Sequence, residues 1–239
     1  MCFSAPVSFA AAAVLLPIGL RALHLAWNTD HRLLGLAAFP ALFGIQQFIE
    51  GLLWLNLGGL SPEYARTSAL GFLFFVYIIW PTLVPLAAHA LEVRQRPRRI
   101  LLFVTLIAGL FGALLFVPLL SGDAQMQVSI VQHSILYQHR PLFDWQWNDW
   151  VARTGYALVV TLPLLMSTMP RLRIFGALIA LSLVLSAIYF DYAFTSVWCF
   201  FAAILSIFTL QLIQSHGEHG YGAAKPAPSS QRTPQASPP

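Results

Sequence analysis

The sequence predicts an all-α integral membrane protein, a seven-transmembrane-helix bundle with its N-terminus outside and its C-terminus in the cytoplasm. Three observations predict it. First, the 239 residues are 58% hydrophobic and only 9% charged, with a mean hydropathy of +0.70, whereas a soluble domain carries about 25% charged residues. So little polar surface cannot coat a water-soluble globule, and the natural solvent is lipid. Second, apolar stretches recur at 5–27, 33–57, 67–91, 99–120, 150–169, 172–190 and 193–214, each near the roughly 20 residues that cross about 30 Å of hydrocarbon. Third, the cations are asymmetric. If these stretches are the spans, Arg21, Arg32, Arg94, Arg96, Arg98, Arg99, Arg171, Arg173, Lys225 and Arg232 fall on one side, and only Arg66, Arg140 and Arg153 on the other. The richer side is expected to be cytoplasmic, and an even number of spans would spoil the separation.

The first stretch is expected to stay in place, because its first basic residue, Arg21, follows the apolar run where a secretory leader would carry its charge ahead of it. Pro17, Pro40, Pro81, Pro85 and Pro163 each remove a backbone donor inside an expected helix, which membranes tolerate where neighbours satisfy the freed carbonyl. Pro81 and Pro85 together predict a kink in the third helix. Between the fourth and fifth helices, 121–149 is too long for a simple connection and is expected to fold back over the outer mouth of the bundle. Its Trp145, Trp147 and Trp150 read as an interfacial aromatic belt. Only Asp191 and Tyr192 separate the sixth and seventh stretches, yet together these exceed what one helix can hold. Residues 1–214 thus form the membrane domain, and 215–239, rich in Pro, Ser, Ala and Gln, reads as a disordered cytoplasmic tail. No repeat relates helices one to three with five to seven, as a repeat-built transporter would show.

The residues able to do chemistry gather toward the outer side. In the run Phe43-Gly44-Ile45-Gln46-Gln47-Phe48-Ile49-Glu50-Gly51, the side chains of Gln46 and Glu50 are one turn apart on a helical face, with Gln47 alongside. A carboxylate at this depth must face the interior. Three roles stay open for Glu50: a structural ion pair with Arg153 at the start of helix five, a buried polar knot with Gln46 and Gln47, or direct contact with a ligand, proton or metal. Cys2 and Cys199 sit at similar heights on parallel helices one and seven. They could form a disulfide, pack singly, bind a metal with a nearby imidazole such as His133 or His139, or supply Cys2 as a nucleophile. The six-residue separation of His133 and His139 matches no zinc pattern.

Several classes are excluded or disfavoured. The Arg and Lys residues form no phosphate-tracking face, so nucleic acid is not expected. No lysine in the last helix could hold retinal, and no Walker, dinucleotide or His-Glu-x-x-His pattern occurs. His24 and His89 lie near the cytoplasmic ends, which disfavours haem. A metal remains open without a motif to indicate it.

The opening Met1-Cys2-Phe3-Ser4-Ala5 with Ser8-Phe9, the Phe43–Gly51 run and Trp198-Cys199-Phe200-Phe201-Ala202-Ala203 resemble a family of small uncharacterised bacterial membrane proteins that begin Met-Cys-Phe-Ser. The resemblance spans all seven helices and omits the tail. It implies a bacterial inner-membrane location and no particular activity. The expected site is therefore a polar pocket near the extracytoplasmic face, lined by Gln46, Gln47, Glu50, Arg153 and Cys199, which takes a small-molecule or lipid ligand in a binding or sensory role. A membrane-embedded hydrolase or redox enzyme using Glu50 with a thiol or metal is the alternative, and a small-molecule transporter the third. The lipid bilayer is the one certain partner of such a chain.

Overall fold

The computed structural model describes residues 4–121, 126–131, 133–139, 149–189 and 194–222, with the backbone course alone at 138–139, 149–153, 194–196 and 216–222. Helix α1 is Ala5–Thr29, α2 is His31–Leu57, α3 is Pro62–Leu91 and α4 is Gln95–Ser121. A hairpin of β1 (Met126–Val131) and β2 (Ser134–His139) comes next, then α5 (Asp149–Leu165), α6 (Pro170–Tyr189), α7 (Phe194–Leu205) and α8 (Phe208–Gly222). Six helical stretches are long and apolar enough to cross a membrane: α1 to α4, α6, and Val197–Ser215 across α7 and α8. In α5 the corresponding apolar run, Thr154–Leu165, is shorter.

The outward faces are apolar. Along α4, Ile100, Phe103, Leu106, Ile107, Leu110, Leu114 and Val117 are all exposed, while its inward line is Leu101, Thr105, Ala108, Gly112 and Phe116. Water-facing helices reverse that pattern, so this surface suits hydrocarbon. Hydroxyls inside the helices bond to their own backbone: Thr105 donates to the Leu101 carbonyl at 2.8 Å, Thr161 to Ala157 at 2.6 Å and Ser186 to Ser182 at 2.8 Å. Such local bonds satisfy polar atoms that lipid cannot.

Helices α1 and α2 form an antiparallel pair closed by small residues. A Cβ on Gly44 would meet the Leu16 side chain at 2.9 Å, and one on Gly51 would meet the Phe9 ring at 2.7 Å, so these glycines let the two backbones approach. The turn between them is set by Asp30, whose carboxylate accepts from the Arg32 backbone N–H at 2.9 Å and from its guanidinium. At the far end of α2, Asn56 donates to Ser68 of α3 at 3.0 Å. There Arg66 of α3 also donates to the Leu119 carbonyl of α4 at 2.6 Å.

The irregularity expected at Pro81 takes the form of a π-helical turn over Phe75–Ile79. In an α-helix the Tyr77 carbonyl would accept from residue 81, and proline has no N–H to offer. A second break has no proline to announce it. Between α7 and α8 the backbone turns at Ser206 and Ile207, where the Ser206 hydroxyl donates to the Ala203 carbonyl at 2.6 Å and Thr209 to Ser206 at 2.7 Å. These hydroxyls favour three-residue bonding over the α-helical ladder. Helix α8 then runs to Gly222, past the expected end of ordered structure at 214.

The expectation of an all-α chain needs one amendment, because the connection after α4 contains an antiparallel hairpin with Val128 opposite Tyr137 and Ile130 opposite Ile135. Between its strands His133 has φ +60°. One face of the hairpin packs on the bundle. Buried Ile135 meets Leu53 of α2 and Ala69 of α3, and the Tyr137 ring stacks on Phe72 at 5.1 Å. The hairpin of this connection lies over this end of the helices. The tryptophans expected to form a belt lie outside the residues whose side chains are described. The bundle thus has a hairpin end and, opposite it, an arginine-rich end.

Candidate functional site

Helix α2 carries a stripe of inward residues spaced three or four apart: Phe39, Phe43, Gln46, Gln47 and Glu50. All five are buried, and Gln46, Gln47 and Glu50 have no exposed surface. The stripe is aromatic toward the arginine-rich end and polar toward the hairpin. Its polar part is organised by side-chain bonds. The indole N–H of Trp80 on α3 donates to Gln46 Oε1 at 2.8 Å, and Gln47 Nε2 donates to Glu50 Oε2 at 3.1 Å.

Helix α7 brings Cys199 to the same place. Gln46 stands near the Cys199 sulfur. Yet Gln46 Nε2, fully buried, makes no hydrogen bond of ordinary geometry among the described residues. Leaving a buried donor unsatisfied costs about 1–3 kcal/mol, and native cores seldom do so. Ser8 Oγ on α1 and Trp54 Nε1 on α2 are likewise buried without a hydrogen bond among the described residues.

Below this polar group lies a cavity of about 40 Å³ between α2, α3, α5, α6 and α7. Its wall is aromatic: Phe43 stacks on Trp80 with centroids 3.8 Å apart, and Tyr156 meets Trp198 edge-to-face at 5.4 Å. Phe39, Phe175 and Cys199 also line it. The volume exceeds the roughly 10–15 Å³ needed to admit one water and is well short of a drug-sized pocket. Such a space accepts a group of a few heavy atoms, with the Cys199 thiol on its wall.

Of the five residues expected to line a polar pocket, only Cys199 is on the cavity wall. Gln46 stands behind Trp80 and Cys199, while Gln47 and Glu50 continue the polar stripe toward the hairpin. Arg153 falls within α5, its side chain outside the described residues. Cys199 is a free, buried thiol, and Cys2 lies outside the described residues. His133 is exposed between the hairpin strands and His139 sits in β2 opposite Met126. Among the described residues no three His, Cys, Asp or Glu side chains are grouped to hold a metal.

Sequence reading passes over the aromatic wall. Its available signal is Trp80-Pro81, a tryptophan in the middle of a span beside a helix breaker. Glu92 at the arginine-rich end, only 3% exposed, is passed over too. One Glu92 oxygen accepts from the Arg94 backbone N–H at 3.0 Å and its Nε at 3.1 Å, and the other from the Thr168 N–H at 3.2 Å. Burial alone would raise this carboxyl, but the bonds from Arg94 and Thr168 outweigh it and hold Glu92 below its ordinary value.

No curated protein and no solved structure matches this sequence. A family model matches residues 1–223, which takes in every helix, the hairpin, the polar stripe and the cavity. The chain therefore belongs to that family, a family of unknown function designated DUF6629.

Proposed function

We propose that this chain is a seven-span protein of the bacterial inner membrane, with its hairpin outside the cytoplasm, that binds a small molecule inside the bundle in a sensory or receptor role. The orientation rests on the excess of arginine and lysine at the end opposite the hairpin. One observation carries the binding role. Gln46 has its carbonyl held by Trp80 while its amide nitrogen, buried behind the Trp80 and Cys199 wall of the cavity, makes no hydrogen bond of ordinary geometry among the described residues. A small ligand with an apolar body in the cavity and an acceptor oxygen that reaches past Cys199 gives that nitrogen a partner.

The test is to purify the wild type and Gln46→Leu in mild detergent with native lipid and compare retained small molecules by native mass spectrometry. The wild type is expected to carry a low-mass molecule that the variant lacks. If the wild type carries none and Gln46→Leu unfolds at a higher temperature, the site is a packing defect and the reading fails.

The place of Cys199 on the cavity wall supports a second reading, an enzyme acting on a lipid or small amphiphile with the thiol as nucleophile and Glu50 as the base that takes its proton. It expects a lipid-like electrophile to label Cys199 at a rate that Glu50→Gln abolishes. Labelling indifferent to Glu50 would remove this reading.

A further inference from the structure

At the arginine-rich end, two segments are locked together by one buried carboxylate. Glu92, just after α3, binds both Arg94 and the Thr168 N–H in the α5–α6 turn, and Arg94 Nη2 also donates to the Met166 carbonyl at 3.3 Å. The first turn of α4 is fixed as well, since His89 Nδ1 donates to the Arg98 carbonyl at 2.7 Å. Arg96, Arg98 and Arg99 on this turn and Arg171 and Arg173 at the start of α6 are all exposed. The two described ion pairs at this end, Arg32 with Asp30 and Arg94 with Glu92, leave those five out. The first turn of α4 holds no acid, so its positive dipole end adds to the mutual repulsion of Arg96, Arg98 and Arg99.

An anion relieves that repulsion, and arginine is the side chain suited to phosphate oxygens. The surface next to the cations selects the anion's carrier. Ile100, Phe103, Leu106 and Ile107 on α4 and Ile174 on α6 are exposed, so an apolar track begins directly after the charges. We infer that the arginines at the α4 start and those at the α6 start each hold the phosphate headgroup of an anionic phospholipid, whose acyl chains lie along the outer face of the same helix. The inference rests on the proposed membrane location, and it is independent of the cavity.

The probe is phosphatidylglycerol set against phosphatidylcholine of the same acyl chains, added to the delipidated full-length protein in mild detergent. Lipid retention in native mass spectrometry and the thermal midpoint are the readouts. Phosphatidylglycerol is expected to be retained at least about threefold more than phosphatidylcholine and to raise the midpoint. The triple variant Arg96→Gln, Arg98→Gln, Arg99→Gln should lose a large part of that preference, and so should Arg171→Gln, Arg173→Gln, which serves where the triple variant folds poorly. Removing the same number of charges at Arg21, Lys225 and Arg232 should leave it intact. Equal retention of the two lipids, an equal loss in that charge control, or a midpoint shift reproduced by inorganic phosphate alone overturns the inference. Flotation with vesicles separates the two failures. A chain that does not float defeats the membrane reading itself, and one that floats without lipid preference defeats only this inference.

Discussion

The carbonyl of Tyr77 lies against the backbone of Gly112, so close that a Cβ on Gly112 would overlap it. The relationship begins with Pro81, which has no N–H for that carbonyl, and with the π-helical turn over Phe75–Ile79 that carries Tyr77 toward α4. Contact between a glycine Cα and a carbonyl oxygen is weakly favourable in itself. It also seats Trp80, one turn on, where its indole reaches Gln46.

Gly112→Ala is accordingly expected to destabilise the protein by about 2 kcal/mol or more, as overpacking against backbone does. Gly155→Ala, where an added Cβ meets nothing within 4 Å, should be neutral or stabilising by about 0.5–1 kcal/mol. Thermal unfolding in detergent compares the two, and equal midpoints would deny the close approach.

Glu50 accepts from Gln47 and has no exposed surface, and a buried carboxylate calls for a cation. With Arg153 as that cation, Glu50→Gln should cost about 3 kcal/mol, and adding Arg153→Met should recover more than half of it. Additive losses in the double-mutant cycle would show that the two residues do not pair.

Glu92 links pH to stability. Its carboxyl titrates below the ordinary value in the folded protein, so its stabilising effect is fully present above the unfolded pKa of about 4.3 and is lost as pH falls through the lower folded value. Glu92→Gln should flatten the fall in thermal midpoint on acidification through that window. A variant with an unchanged acid limb would mean that other carboxylates dominate it.

Cys199 is buried and free. A water-soluble maleimide should leave it unmodified in the folded protein and label it on unfolding. Rapid labelling of the native state would place the thiol at an open surface and remove the buried site on which the binding reading depends.

Reporter fusions test the proposed orientation. A fusion after Gly222 should report the cytoplasm, and one at Gln132, between the hairpin strands, should report the opposite side. A cytoplasmic hairpin would reverse both the cavity's assignment and that of the lipid site.

The six long apolar helices were legible in the sequence because hydropathy is a local, additive property: about twenty apolar residues need a helix in lipid whatever surrounds them. The burial of Glu50 was legible for the same reason, since charge in hydrocarbon has a cost that depends little on detail. The hairpin was not legible, because Met126–Val131 alternates imperfectly and its inward face is defined by Leu53, Ala69 and Phe72 beneath it. Three relationships arose only in the tertiary structure. Trp80 holds Gln46 across two helices, Cys199 closes a cavity whose other walls come from four more, and Glu92 joins two turns 76 residues apart. Each depends on how helices pack side by side, which hydrophobic periodicity cannot encode, because lipid and neighbouring helices present the same apolar surface to a leucine.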